Sequence, residues 1–197
     1  GDRLELGKSI VNRAGLELPA DVKPDLARNR LIVRERDHVF LGREIYTVDI
    51  DSGRKTLFLR KPQVGPVFDL DAAGNIYAAT DYAMEGLNRF DPAGKPLPFA
   101  ASQSNHIAWE EKNPHWPRGV AVGPDGRIYV LRNIVRHVAG QVDVFGPDGK
   151  LLKAGLIDGV DRGACGLGVD AAGNIYLAVN IKPKGQPMPP PFIGKVL

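Results

Sequence analysis

Two tryptophans, two histidines and two carboxylates crowd one stretch of this chain: residues 98–117 hold His106, Trp109, Glu110, Glu111, His115 and Trp116. Indole faces beside carboxylates and imidazoles suit a sugar-like, peptide or other polar ligand, because the ring supplies apolar contact and the polar groups supply direction. The alternative is that the tryptophans pack beneath their own loop. Arg118 follows directly and offers either an anion contact or a salt bridge. Cys165 is the only cysteine. A nucleophilic thiolate needs a basic partner, and no particular histidine is tied to it by spacing; the other role open to it is a small buried apolar side chain. A third set recurs along the chain: Asp81, Asn133 and Asn180 each stand four residues past a tyrosine. Such side chains at a strand end cap the turn that follows by accepting from backbone N–H groups.

What must position these residues is a repeat. Phe68–Tyr77, Val120–Tyr129 and Leu167–Tyr176 align without gaps, with Gly74, Gly126 and Gly173 coinciding at separations of 52 and 47 residues. A weaker copy, Val22–Val33, carries one extra residue and Asn29 in the glycine's place. Each copy reads as a hairpin: an apolar strand, a turn residue able to take positive φ, and a second strand rich in Ile, Tyr and Val. A second hairpin follows in each repeat. It comprises 44–50 with 55–59 in the first, 87–90 with 96–99 in the second, and 141–145 with 151–152 in the third. In the fourth repeat only the opening of its first strand remains, at 194–197. Each repeat is therefore a four-stranded antiparallel meander, strands a to d. Tight turns are expected at 71–75, 91–95, 123–127, 146–150 and 170–174. A single such sheet cannot bury both faces, and radial stacking of identical sheets solves that problem.

The run Pro117-Arg-Gly-Val-Ala-Val-Gly-Pro-Asp-Gly-Arg-Ile-Tyr-Val130, with Val144-Phe-Gly-Pro-Asp-Gly-Lys150, resembles an NHL repeat. More broadly, residues 20–197 resemble six-bladed β-propellers of the TolB-like and gluconolactonase-like kind. The implied fold is an all-β propeller of four-stranded blades. About four are covered, near 22–61, 65–101, 116–157 and 163–197, with 1–20 a connecting segment or outer strand. The resemblance also implies that Asp81, Asn133 and Asn180 lie near the axis, where oxygen ligands of the gluconolactonase-like group hold calcium. Pro66, Arg118 and Cys165, each eight residues before a turn glycine, would ring the channel mouth. In NHL-type amidating lyases that point carries a zinc-binding histidine; here none does, so no tightly held zinc is expected.

In a meander the a–b and c–d turns share one face, and the b–c and d–a connections share the other. The first set is tight; the second is long, at 80–86, 98–117, 132–140 and 179–194. Long loops on a rigid scaffold are where binding usually resides. The leading expectation is thus a module that binds a protein or a small polar ligand, carbohydrate or peptide, through its long-loop face. No Walker loop, dinucleotide fingerprint, HExxH or GxSxG points to catalysis. The alternative is a metal-dependent hydrolase or lactonase of the gluconolactonase-like type; a further one is RNA binding by an NHL propeller. The net charge of +3 in 197 residues is small, and acidic residues interleave with basic ones, so no nucleic-acid partner is expected. No stretch approaches a membrane span of about 18 apolar residues. One cysteine excludes an internal disulfide and is compatible with the cytosol, though an extracellular or periplasmic setting is the working expectation. A fourth repeat lacking its last strand leads us to expect that the chain is part of a longer polypeptide.

Overall fold

A computed structural model of the protein describes residues 19–35, 44–60, 64–80, 86–109, 115–134, 139–161, 164, 166–179 and 192–196. The backbone alone is described at 19, 115–116, 133–134, 139, 159–161, 179 and 192–196. The chain forms two compact units, 1–61 and 62–197. Among the described residues no helix is long and apolar enough to cross a membrane.

The first unit is one antiparallel sheet in sequential order: β1 (Pro19–Asp25), β2 (Arg30–Glu35), β3 (Ile45–Asp49) and β4 (Lys55–Leu59). The extra residue of the first repeat is absorbed by a 3-10 turn at Leu26–Arg28, closed by Asn29 at φ 49°. Asp25 anchors this corner, accepting from Arg28 at 3.0 Å and Arg30 at 2.8 Å. Ile32, Ile45 and Leu59 are buried on one face of the sheet, and Val33 and Val48 on the other.

The second unit holds three sheets. The first of them runs β5 (Val67–Leu70), β6 (Ile76–Thr80), β7 (Gly86–Phe90) and β8 (His106–Ala108). The next runs β9 (His115–Val122), β10 (Ile128–Ile134), β11 (Ala139–Phe145) and β12 (Leu151–Asp161). The last runs β13 (Gly166–Val169), β14 (Ile175–Val179) and β15 (Phe192–Val196). Every pairing is antiparallel, and β9 packs against both β5 and β13. The a strands of three successive sheets are therefore neighbours, as radial stacking requires. All five expected turns form; in each, the residue opening the turn exchanges a backbone bond with the residue four on, and the glycine has positive φ.

The Asp-x-x-Gly-Asn-x-Tyr pattern has a direct physical cause. Asp170 accepts from Asn174 N at 2.8 Å, Asn174 Nδ2 at 2.7 Å and Tyr176 Oη at 2.9 Å. Asp71, Asn75 and Tyr77 repeat this at 2.9, 2.7 and 3.2 Å. In β10, alternate residues serve opposite seams. Ile128 and Val130 join Tyr77, Ala79, Leu87, Phe99, Trp109, Val120 and Phe145, whereas Tyr129 and Leu131 join Val142, Val144, Ala164 and Leu177. A strand buried on both faces reads as an unbroken apolar run rather than an alternating one.

Three expectations are corrected. Residues 96–99 are not the fourth strand of the second repeat; only a single Phe90–Pro96 bridge forms there. Pro96 and Pro98 have no N–H to give a ladder. The chain instead makes a compact loop, with Phe99 N bonded to Ser104 O at 2.8 Å, and returns to β7 at His106–Ala108. That repeat therefore runs to 108 rather than 101. Second, 98–117 is not one long loop: 98–105 leads into β8, and His115 and Trp116 already lie in β9. The segment 98–105 sits at the tight-turn end, where Ala101 N bonds to Asp148 O at 2.9 Å. Third, most of 132–140 is strand, since Arg132 pairs with Gln141 and Asn133 with Gly140.

Candidate functional site

Asp81, Cys165 and Asn180 lie outside the described residues. Asn133 stands opposite Trp116 in the β9–β10 ladder, and Ile134 opposite His115, so these backbones share one end of the sheet. Arg118 is exposed, and the register slips beside it: Leu131 pairs with Gly119 but Arg132 with Pro117. The bulge explains why a charged residue sits between buried Pro117 and Gly119. Among the described residues no group of three or more His, Cys, Asp or Glu lies close enough to hold a metal.

Trp109, at the end of β8, is only 8% exposed. Its ring lies against Phe145, with centroids 6.1 Å apart, and the Arg132 guanidinium stands 5.6 Å from its centroid. The face on which Ile128 and Val130 meet the neighbouring sheet ends at Arg132, which is 7% exposed. Opposite, Asp143 on β11 is 1% exposed and accepts from Arg132 Nε. Asp143 Oδ1 also accepts from Gln141 Nε2 at 2.7 Å and Gly155 N at 2.8 Å. Both carboxylate oxygens are thus engaged, as a buried charge demands.

These residues line a cavity of about 210 Å³ between the two sheets. Its apolar walls include Ile107, Ala108, Phe145, Leu151 and Ala154, and Gly149 of the tight turn also lines it. Among the described residues, two buried donors of the lining residues have no hydrogen-bond partner, the indole Nε1 of Trp109 and Nη1 of Arg132. Buried N–H groups are rarely left unpaired, and each unmade bond costs about 1–3 kcal/mol. Both donors belong to residues that line the same cavity, where an acceptor would satisfy them.

Sequence reasoning flagged Trp109 but missed Arg132, Asp143 and Gln141. One signal was available: in Ile128-Tyr-Val-Leu-Arg132, a charge follows four apolar residues, at the place of Thr80 in the preceding repeat. Asn88 takes the corresponding place of Asp143, and accepts from His106 Nδ1 at 2.8 Å. Burial lowers the His106 pKa and keeps the ring neutral.

A larger hollow of about 400 Å³ lies where the a–b turns of three sheets meet. Its polar side chains, Asp71 and Asp170, are committed to their own turns. The bonds from Asn174 hold the Asp170 carboxyl down at about 2, and the same carboxylate raises the Tyr176 phenol. Tyr77 is pushed up to about 12, chiefly by burial.

Several solved structures share this fold. One glucose dehydrogenase superposes with a TM-score of 0.54 at 15% identity, over 92% of this chain and 72% of its own. A crystal structure of a glucose dehydrogenase gives 0.53 at 14% identity, over 90% and 73%. A gluconolactonase from Xanthomonas campestris gives 0.49 at 18% identity over 77% of this chain, which spans only 52% of that protein's length. No protein-family profile matches the sequence, and no curated protein matches it. The neighbours are six-bladed β-propellers, and the four antiparallel sheets described here have the β-propeller fold.

Proposed function

We propose that this chain is a propeller module that binds a small polar ligand in the seam between β5–β8 and β9–β12. The observation that supports this is a pair of buried donors with no partner among the described residues, Trp109 Nε1 and Arg132 Nη1, both on residues that line one cavity. Sequence reasoning looked to the long-loop face; the seam is instead a pocket between sheets, with the tight turn 146–150 contributing Gly149 to its lining. An apolar enclosure with a few convergent polar groups is the usual form of a small-molecule site. A ligand that accepts from both donors recovers the free energy their isolation costs. The test is a thermal-shift and calorimetric screen of small oxygen-bearing molecules. Binders should raise the melting temperature, and Trp109→Phe should weaken them while leaving the fold intact. A screen that shifts nothing at millimolar concentration would remove the proposal.

A second reading has its own support. Asp81, Asn133 and Asn180 recur at one repeat position, as oxygen ligands for calcium would, and this keeps the metal-dependent lactonase alternative in view. Calcium-dependent stabilisation, lost in Asp81→Ala, would favour it; melting unchanged by calcium or by chelator would count against it.

A further inference from the structure

We infer that the seam's ligand is a monocarboxylate with a compact apolar body. This rests on the ligand-binding reading above and assigns the chemical class.

The unpartnered polar atoms of the lining residues are both donors. Trp109 Nε1 can only donate, and Arg132 carries five N–H donors and no acceptor. The charged acceptor of the cavity, Asp143, is largely committed: Oδ2 takes Arg132 Nε, while Oδ1 takes Gln141 Nε2 at 2.7 Å and Gly155 N at 2.8 Å. A ligand bearing several hydroxyl or amide hydrogens would find little carboxylate capacity left. An acceptor-only group with two oxygens matches two separate donors, one oxygen to the indole and one to the guanidinium.

Charge points the same way. Arg132 bonds Asp143 through Nε, while its buried Nη1 has no hydrogen-bond partner among the described residues, and the guanidinium belongs to the cavity lining. Bonds from guanidinium to carboxylate are about twice as strong as neutral ones. The remaining walls are Ile107, Ala108, Phe145, Leu151 and Ala154, which offer the rest of the ligand only apolar contact. The volume of about 210 Å³ sets the size. An apolar cavity of about 150 Å³ holds benzene, so a single ring or a branched chain of similar bulk fits beside the carboxylate.

The experiment compares benzoate, benzamide and methyl benzoate on the full chain by calorimetry, and follows the Trp109 indole N–H by NMR. Benzoate is expected to bind at least about tenfold more tightly than the other two. It should also move the indole resonance downfield and lose about tenfold in affinity in Trp109→Phe, which keeps an aromatic ring but not the donor. If benzamide or methyl benzoate binds as well as benzoate, the ligand site stands and the carboxylate assignment falls. Benzoate affinity unchanged by Trp109→Phe also overturns the assignment. If none of the three binds, and a crystal structure shows ordered water joining Trp109 Nε1 to Arg132 Nη1, both this inference and the binding reading fail.

Discussion

Phe99 packs directly on the main chain of Gly149: a methyl group on that glycine would stand 2.8 Å from the Cβ, Cγ and Cδ1 of Phe99. Phe99 belongs to the loop that interrupts the second repeat, and Gly149 to the tight turn of the third. The contact thus ties two sheets together at one end of their seam. Phe99 is fully buried, and its neighbour Ala101 bonds to Asp148 O at 2.9 Å.

Phe99→Ala should therefore cost about 3–5 kcal/mol of stability, as expected for emptying a buried aromatic site. Gly149→Ala should cost about 1–2 kcal/mol for the positive φ of 89° alone, and more for the clash. Because two of the three clashing atoms, Cγ and Cδ1, belong to the ring, the double variant should lose less than the sum of the two. Urea unfolding of all three variants measures this, and strict additivity would contradict the contact.

Asp143 and Arg132 make the second test. Asp143→Ala leaves a buried guanidinium without its counter-charge, which should cost about 3–5 kcal/mol. Replacing both, as Arg132→Met with Asp143→Leu, should be much milder, because no uncompensated charge remains. Equal losses from the single and the double replacement would show that packing, not charge, dominates there.

Acid should act on the a–b turns at an unusually low pH. The Asp170 carboxyl is held at about 2 against its ordinary 3.8 by Asn174, whose side chain and backbone N–H both donate to it. A depressed carboxylate contributes stability that is full above about 3.8 and is lost as pH falls through about 2. Titration of the Asp170 carboxyl carbon by NMR should show a midpoint near 2, and Asn174→Ala should move it upward. A wild-type midpoint at 3.8 would refute the hydrogen-bond account.

His106 should give an acid effect in a different range. Burial lowers its pKa below the ordinary 6.5, and the unfolded chain then binds the proton more readily than the native one. Stability carried by the neutral ring is complete above about 6.5 and declines as pH falls from there through the lowered native value. Replacement by glutamine should flatten that part of the stability-versus-pH curve. A wild-type curve flat between pH 7 and 5 would contradict the burial.

Much of the fold was legible before any coordinates, because turns and strands are specified locally. Gly74, Gly126 and Gly173 mark positions that need positive φ, and Asp71 and Asp170 cap turns with atoms only a few residues away. Such bonds form within one hairpin, so their residues must recur together, and the recurrence can be read in one dimension. The second repeat misled for a local reason too: 96–99 has the apolar look of a strand, but its prolines cannot donate to a ladder, and the pairing strand lies ten residues later. The candidate site was not legible in the same way. Arg132 and Asp143 lie on two strands of one sheet and Trp109 just past a strand of another, and nothing in their spacing marks them as neighbours. Only the side-by-side packing of β5–β8 with β9–β12 closes a cavity around them and strips water from the indole and guanidinium. An unmet donor is a property of burial, and burial between sheets is decided in three dimensions.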